Sequence, residues 1–399
     1  MAAKTTHFKV NNGDMTLLRT GDGHSIVVDV NIRAAADDPD DDAPDVAKQL
    51  RERLSRDDEG RLYVDAFLLT HPDADHCRGL EKHFHLGRLD EWKKVDDKIV
   101  IREMWSSPII FRRASRHHNL CADAKAWAAE ARRRVREFRA NGYAYDGDRI
   151  KILGEDVDGK TDDLTEILVV GGDVFQTVRG VTDNTFSAHL LAPLLADDEE
   201  EAEFLSKNNS SVVINISLGK TDLQSPSYYL LGGDAEVGIW EKLWGKYGDD
   251  PTQFQYDVLI APHHCSWHSL SWDSWSDFGE DAEASDDARS ALGQPMSGAF
   301  VIASSKEIKD DDADPPCICA EREYKSILKS VNGNFTCLGE LSGDAPLEFE
   351  ITASAGPRRM ERPANKSKLA APALLGLSGA AAGSQTALGS QPFKHGDDD

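Results

Sequence analysis

The residues best suited to chemistry lie together at 70–76, where the chain reads THPDADH. Four of them can bind metal: His71, Asp73, Asp75 and His76. They directly follow LYVDAFLL, a run apolar enough for a strand buried on both faces. A tight turn after such a strand can direct alternate side chains at two ions about 3.5–4 Å apart. The spacing therefore favours a metal site over a polar turn with capping aspartates, and imidazole with carboxylate suits zinc or manganese.

Two later segments repeat this order of an apolar strand followed by polar ligands. The run YYLLGGD places Asp234 after a predicted strand, where its carboxylate could bridge two ions. The run VLIAPHH places His263 and His264 after another strand. Gly-Gly-Asp is by itself common in turns, whereas adjacent histidines after a buried strand are rarely core residues. The two segments strengthen the metal-site interpretation of residues 70–76.

Strands and helices alternate along the chain, which predicts an α/β layered sandwich over residues 1–362. The turn TGDGH at 20–24 joins a predicted hairpin. Residues 268–297 are predicted to be a long surface loop, and 363–399, rich in Ala, Gly and Ser, a disordered tail. Helices are predicted at 46–54, 122–140, 235–247 and 320–331, and strands at 62–69, 99–105, 150–153, 168–170, 211–217, 227–231, 258–261 and 299–303, with a final pair at 335–338 and 347–351.

The composition excludes several classes of protein. The chain has 399 residues, with 45 Lys and Arg against 70 Asp and Glu, for a formal net charge of −25. Such acidity disfavours binding to long nucleic acid or to an anionic membrane, since both are polyanions. No apolar run approaches the roughly 20 residues of a membrane span. The N-terminus lacks the apolar core of a signal peptide, which predicts a cytoplasmic protein. Six cysteines are too sparse for a disulfide framework.

With these motifs the sequence resembles the metallo-β-lactamase superfamily, and within it the soluble hydrolase domain of the DNA-uptake protein ComEC. The superfamily pattern is His-x-His-x-Asp-His. The ComEC-like variant, His-x-Asp-x-Asp-His, is matched by residues 71–76, with Gly79 following. Further matches are NNSSVV at 208–213, the Gly-Asp that ends at Asp234 and the Pro-His-His segment at 262–264. The opening GDGHS, followed by VVD at 27–29, is similar to the first hairpin of that subset.

The resemblance implies an αββα four-layer sandwich with two divalent metal ions, zinc or manganese, at one edge of its sheets. One ion would be held by two residues of the motif, and the other by the remaining two and by one histidine of the pair at 263–264. Asp234 would bridge the ions. The implied ligands are His71 and Asp73 for one ion, Asp75, His76 and His263 for the other, and Asp234 for both.

The resemblance also implies how catalysis would proceed. A metal-bound hydroxide would be the nucleophile, because a bound ion lowers the pKa of water to near neutrality. Asp75 would orient it. His264 would contact the attacked oxygen or assist the leaving group.

The sequence departs from the family pattern at three points. Many members supply a histidine where this chain has Ala192, and His189 reaches that place only in a changed register, so one ion would bind weakly. Cys265 stands where the family has glycine. The thiols of Cys265 and Cys77 could be soft ligands or sites of oxidation, but we interpret both as small side chains that fill space. The sequence contains none of the membrane segments of ComEC, so a transport role is not carried over.

A basic segment stands out from the acidic chain. Residues 101–140 contain ten Arg and Lys against four Asp and Glu, a local charge of +6, and belong largely to an expected helical insertion at 106–165. On its predicted helix Arg132, Arg136 and Arg139 share one face, which could contact a phosphate backbone. These arginines could equally pair with the acidic excess of the protein itself or with a partner protein.

The sequence thus predicts a phosphodiesterase or nuclease that acts on DNA or RNA, with a short or single-stranded substrate fitting the net charge best. A second class is a hydrolase of small esters, lactones or phosphodiesters, with a pocket wall supplied by Trp267, Trp272 and Trp275. A third is a metallo-β-lactamase-fold subunit of a larger assembly, with DNA defence as one setting, that contacts partners through the basic helix and the acidic loops.

Overall fold

Two β-sheets form the centre of the molecule, in an α/β architecture. The computed structural model describes residues 3–37, 41–113, 119–196, 198–352 and 356–360. Residues Met1–Met360 form one compact unit. The tail predicted at 363–399 lies outside the described residues.

Sheet 1 combines antiparallel strands from the two ends of the described chain with parallel strands from its first half. Its parallel strands follow one another across the sheet from Ser25–Val28 through Leu62–Leu68 and Ile99–Ser106 to Arg149–Leu153. Within the described residues its eleven strands are Lys4–His7, Thr16–Arg19, Ser25–Val28, Ser55–Arg56, Leu62–Leu68, Phe84–His85, Ile99–Ser106, Arg149–Leu153, Leu168–Val169, Leu347–Ile351 and Pro357–Arg359.

Sheet 2 lies later in the chain and has the same mixed character. Its first members pair antiparallel, and its last four, beginning with Ser227–Leu231, are parallel. Within the described residues its seven strands are Val174–Phe175, Phe186–Ala192, Val213–Leu218, Ser227–Leu231, Tyr256–Ile260, Pro295–Ala303 and Asn334–Cys337. A separate small hairpin pairs Thr177–Val178 with Val181–Thr182, and Val30–Asn31 forms bridges outside both sheets.

Helices pack on both sheets. The longest, Ala122–Asn141, is called the arginine helix below. It begins at Cys121, whose Sγ accepts from the N–H of Ala124, and it ends at Gly142 in the left-handed conformation that favours glycine. The other helices are Val46–Arg51, Ala74–Cys77, Leu80–His83, Glu199–Phe204, Val237–Tyr247, Pro262–Cys265, Trp275–Phe278, Asp286–Leu292 and Ile318–Lys329.

Three apolar clusters hold these layers together. One contains residues of both sheets, such as Leu68 and Ile214. A second contains the other face of sheet 1 and the arginine helix, including Phe67 and Trp127. The third contains sheet 2 and its helices, including Trp240. Because Phe67 and Leu68 belong to different clusters, the strand Leu62–Leu68 is buried on both faces, which confirms the prediction from its continuous apolar run.

The structure differs from the sequence predictions in three elements. The prediction of a surface loop at 268–297 is wrong, because the helix Asp286–Leu292 lies there and buries Ala288, Ala291 and Leu292 in the core of sheet 2. The final strands also do not pair with each other, since Asn334–Cys337 lies in sheet 2 and Leu347–Ile351 in sheet 1. The segment 106–165, expected as an insertion, contributes a strand to sheet 1 as well as the arginine helix.

Candidate metal centre

The carboxyl ends of parallel strands from both sheets supply the candidate site. His71 follows Leu62–Leu68, Asp234 follows Ser227–Leu231, and His263 and His264 follow Tyr256–Ile260. The carboxyl ends of parallel strands meet at one edge of a sheet, which is where ligands bind in open α/β sheets. The two sheets therefore bring together side chains that are up to 193 residues apart in the chain.

Asp234 lies at the centre of this group. Its Oδ2 is 3.5 Å from His71 Nε2 and 3.5 Å from His264 Nε2, and its Oδ1 is 3.0 Å from His76 Nε2. His263 Nε2 is farther, 3.8 Å from Oδ2. The three nearest imidazoles lie close together but tilted, with ring centroids 4.0 Å apart for His71 and His76 and 5.2 Å apart for His76 and His264. One carboxylate thus faces four imidazoles.

Asp73 and Asp75 form the more open side of the site. The Oδ2 atom of Asp73 is 3.9 Å from His71 Nε2, and that of Asp75 is 3.5 Å from His264 Nε2. Both side chains are 33% exposed, whereas the side chain of Asp234 is 4% exposed. The structure therefore groups all four predicted residues of the motif with Asp234 and the histidine pair.

The structure adds Asp14, which the sequence prediction omitted. Ligand atoms of this residue and three predicted ones lie within 4.8 Å of one another and could hold a metal ion: Asp14, His76, Asp234 and His264. Asp14 approaches through a loop whose backbone is held to the motif, because Asp14 N–H donates to the carbonyl oxygen of Asp75 at 3.2 Å. The sequence signal that could have pointed to Asp14 is the Asn-Asn-Gly-Asp turn at 11–14, which ends in a carboxylate.

Several buried polar atoms in this group have no hydrogen-bond partner among the described residues. They are Asp14 Oδ1, His71 Nε2, His76 Nε2, Asp234 Oδ1, His263 Nδ1 and His264 Nε2. Buried polar groups are normally satisfied, since leaving one unsatisfied costs about 1–3 kcal/mol. Except for His263 Nδ1, these atoms belong to side chains grouped around Asp234, as the ligands of an ion are.

The charges of this group are strongly coupled. Burial by itself would raise the pKa of Asp234, but the surrounding imidazoles hold that pKa well below its usual range. Burial would likewise lower the pKa of His76, but the carboxylates of Asp234 and Asp29 hold it well above the ordinary value. Without an ion, protons therefore provide the positive charge that compensates the buried carboxylates.

Asp29 orients the motif without belonging to it. It follows Ser25–Val28, and its Oδ2 accepts from His76 Nδ1 at 2.8 Å and from Thr70 Oγ1 at 2.6 Å. Donation from Nδ1 leaves the Nε2 of His76 to face Asp234, the arrangement typical of metal-binding histidines. In the sequence, Asp29 is noted only as the last residue of the segment that matches the first hairpin of the family. Its hydrogen bond with His76, 47 residues away, is visible only in the structure.

The backbone at the histidine pair is unusual. His263, His264 and Cys265 all have positive φ values, of 51°, 55° and 70°. Residues with side chains rarely adopt this conformation, and such strain is concentrated at functional sites. The left-handed conformation of Cys265 explains why glycine suits this position. The buried thiol of Cys265 packs in the core of sheet 2, which agrees with a space-filling role.

The structure does not bring the three predicted arginines to this site. The arginine helix runs antiparallel to its neighbouring strand, because Trp127 Nε1 donates to Ser106 Oγ at the carboxyl end of Ile99–Ser106 and Arg134 donates to the carbonyl oxygen of Ile101 near the other end. Arg132, Arg136 and Arg139 are exposed and lie toward the far end of the helix.

Two of these arginines already have protein partners. Arg132 donates to the carbonyl oxygen of Phe111 at 2.5 Å, and Arg139 forms an ion pair with Asp163 at 2.7 Å. His189 is also remote from the metal group, with its Nε2 3.1 Å from the carbonyl oxygen of Gly172. It therefore does not replace the histidine missing at Ala192.

A cavity of about 610 Å³ has Glu236 in its lining. Its lining includes Phe204, Asn208, Glu236 and Trp272, whose side chain is 62% exposed. Glu236 is two residues from Asp234, so their Cα atoms lie within about 7.6 Å. Of the other predicted wall residues, Trp267 and Trp275 are buried in the core of sheet 2.

Comparison with protein-family models and with curated protein sequences gives no match. Among the described residues no helix is both long and apolar enough to cross a membrane.

Proposed function

We propose that this protein is a metal-dependent hydrolase with the metallo-β-lactamase fold, and that it cleaves phosphodiester bonds. The observation that carries the proposal is the convergence of His71, His76 and Asp234 at one edge of two sheets, with buried ligand atoms that have no hydrogen-bond partner among the described residues. The layering also supports it, since the sheets share one core and helices cover the opposite face of each.

The donor set fits zinc or manganese, because it combines imidazole nitrogens with carboxylate oxygens. When bound, two such ions supply Lewis acidity, which polarises the scissile bond and acidifies water. The residues that would hold the ions are His71, Asp73, Asp75, His76, Asp234 and His263. Asp14 is a further candidate, since its carboxylate lies within 4.8 Å of ligand atoms of His76 and Asp234.

His264 is placed to donate a proton. The backbone N–H of Gly13 donates to His264 Nδ1 at 3.2 Å, so the proton of the neutral ring resides on Nε2. That nitrogen lies 3.5 Å from the nearest carboxylate oxygens of Asp75 and Asp234, inside the site. A donor held this way stabilises negative charge that develops on an attacked oxygen or a leaving group.

Asp75 complements His264 as the residue that orients the attacking water. Burial would raise the pKa of Asp75, but its contacts with the imidazoles of His264 and His76 hold that pKa well below the usual range. The carboxylate is therefore ionised at neutral pH. Because its side chain is one-third exposed, it can orient an attacking water that enters from solvent.

We assign a short or single-stranded nucleic acid as the substrate. The ComEC-like motif favours phosphodiester chemistry. The net charge of −25 disfavours a long duplex. The exposed arginine face would contact only a substrate long enough to extend well beyond the metal group.

A second candidate is the hydrolysis of a small ester, lactone or phosphodiester. The cavity beside Glu236 favours it, since about 610 Å³ is within the range of small-molecule pockets and Trp272 offers an aromatic wall. Replacing Trp272 with Ala should then raise the KM for the small substrate.

Elemental analysis together with an activity screen tests the proposal. The wild-type protein should contain up to two equivalents of zinc or manganese and hydrolyse single-stranded DNA, RNA or bis(p-nitrophenyl) phosphate. Asp234→Asn should lose metal and activity while remaining folded, and Asp249→Asn, an exposed carboxylate, should retain both.

Equal, near-zero metal in the wild type and Asp234→Asn after growth with both metals would refute the metal assignment. Metal binding without hydrolysis of any of the three substrates would instead favour the noncatalytic subunit of a larger assembly.

A further inference from the structure

Two thiols meet beside the metal motif. Cys77 and Cys121 are 44 residues apart in the chain, yet their Sγ atoms lie 3.6 Å apart, and both are free. Their separation in the chain hides this contact from sequence patterns, which report on neighbouring residues.

The two cysteines connect the motif to the arginine helix. Cys77 follows His76 directly and ends the short helix Ala74–Cys77. Cys121 is the N-cap of the arginine helix, and its Sγ accepts from the N–H of Ala124 at 3.4 Å. The contact between these elements is reinforced nearby, because the carboxylate of Asp123 accepts from the backbone N–H groups of Gly79 and Glu81.

We propose that Cys77 and Cys121 form an oxidisable dithiol, which a peroxide converts into a disulfide between the motif and the arginine helix. The reaction requires the two sulfurs to approach by about 1.5 Å, to a bond length of about 2.05 Å. Both lie next to helix ends, where a shift of this size is absorbed without disrupting a sheet.

The chemistry balances with hydrogen peroxide as the oxidant. The sulfur of Cys121 attacks one peroxide oxygen, the O–O bond breaks, and a sulfenic acid and water form. The sulfur of Cys77 then attacks the sulfenic sulfur. The S–S bond forms, the S–O bond breaks, and hydroxide leaves with the thiol proton of Cys77 as a second water. The two thiols lose two electrons and two protons.

Cys121 is the sulfur suited to react first. It is partly exposed, whereas Cys77 is fully buried. The hydrogen bond between the two thiols lowers the pKa of Cys121 to about 6. Cys319 is comparably exposed, but burial raises its pKa to about 11. Oxidation should therefore select this pair over the other cysteines.

Peptide mapping without reduction, after mild treatment of the full-length protein with hydrogen peroxide, tests the proposal. The expected result is a Cys77–Cys121 cross-linked peptide and a fall from six to four titratable thiols under denaturing conditions. Dithiothreitol should restore all six thiols.

Cys121→Ser is the informative variant, since serine preserves the N-cap and Cys121 lies at the surface. It should form no cross-link at Cys77. Cys319→Ser is the matched control and should form the Cys77–Cys121 cross-link as the wild type does. A wild-type protein that keeps six thiols, or that first oxidises Cys319, would overturn the proposal.

Discussion

His263 and His264 are neighbours in the chain, but the fold places them differently. His264 is 1% exposed and accepts from Gly13 N–H through Nδ1, while His263 is 16% exposed and its Nδ1 has no hydrogen-bond partner among the described residues. The left-handed backbone at both positions separates the two rings, whose centroids are 6.0 Å apart. The fold thus gives adjacent identical residues different environments, as the two different roles proposed for them require.

The two histidines should respond differently to substitution. We expect His263→Ala to lower metal content, since it removes a ligand, and His264→Ala to keep most of the metal but lower kcat by about 10²–10⁴-fold, the usual contribution of a general acid. Elemental analysis and kinetics on bis(p-nitrophenyl) phosphate distinguish the roles. If His264→Ala lost metal and His263→Ala did not, the two assignments would be exchanged.

At the scale of elements, the two sheets are joined at another place by an ion pair. His24, in the turn of the first hairpin, lies with its Nδ1 2.7 Å from Asp183 Oδ2, just before the strand Phe186–Ala192 of sheet 2. The hydrogen bond to Asp183 raises the pKa of His24 above 6.5. Burial would raise the pKa of Asp183, but hydrogen bonds from His24 and Thr185 lower it to about 2.

This pair should make stability depend on pH. The contribution of His24 is complete below its unfolded pKa of 6.5 and is lost as the pH rises through the higher folded value. The contribution of Asp183 is complete above 3.8 and is lost as the pH falls toward 2. His24→Gln should therefore lower the free energy of unfolding by about 1–2 kcal/mol near pH 5.5, and by less at pH 9.

Urea unfolding at both pH values checks this expectation. His85→Gln, at a partly exposed histidine that bonds the carbonyl oxygen of Arg88, is the control and should show no comparable change between the two pH values. A His24→Gln effect that is equal at pH 5.5 and pH 9 would show that the pair contributes through packing rather than charge.

The arginine helix also acts at the scale of elements. In its first turn, Asp123 accepts from the backbone N–H of Gly79, just after the motif. Arg132–Arg139 lie 9 to 16 residues farther along the helix, about 14–24 Å by the helical rise. A small ester cannot span that distance, but an oligonucleotide of several nucleotides can. Substrate length should therefore decide whether the arginines matter.

Replacing Arg132, Arg136 and Arg139 with Glu should raise the KM of longer single-stranded oligonucleotides and leave kcat/KM for bis(p-nitrophenyl) phosphate unchanged. Each lost phosphate contact should flatten the dependence of log K on log salt by about 0.7. The control variant has three exposed lysines replaced with Glu, at Lys93, Lys94 and Lys309, so its net charge changes by the same amount. An unchanged affinity and salt slope would indicate that the arginines serve the fold or a protein partner.

At the scale of the whole molecule, the three apolar clusters and the metal group all lie before residue 361. Residues Met1–Met360 form one compact unit. A chain that ends at Met360 should therefore melt within a few degrees of the full-length protein and bind the same number of metal ions. Differential scanning calorimetry and elemental analysis measure both quantities. A large fall in melting temperature, or loss of metal, would show that the last 39 residues contribute to the fold.

Much of the architecture was predictable because its signals are local. The strands Leu62–Leu68 and Ser227–Leu231 and the arginine helix were predicted within two residues of their bounds from apolar runs and periodicity. The ligand candidates after those strands were found for the same reason, since a strand and the turn that follows it are continuous in sequence. The helix Asp286–Leu292 was not predicted, because its first turn is polar and only three of its residues, Ala288, Ala291 and Leu292, form the apolar face.

The sequence by itself determined the α/β class, the main strand and helix positions and the six ligand candidates. Only the tertiary structure decided that Leu347–Ile351 pairs with Lys4–His7, that Asp14 joins the metal group and that Asp29 orients His76. It also decided that the arginines lie toward the other end of their helix. The physical reason is distance along the chain. Periodicity and turn chemistry report on neighbouring residues, whereas these contacts join segments tens to hundreds of residues apart, and they form only when both sheets pack on their shared core.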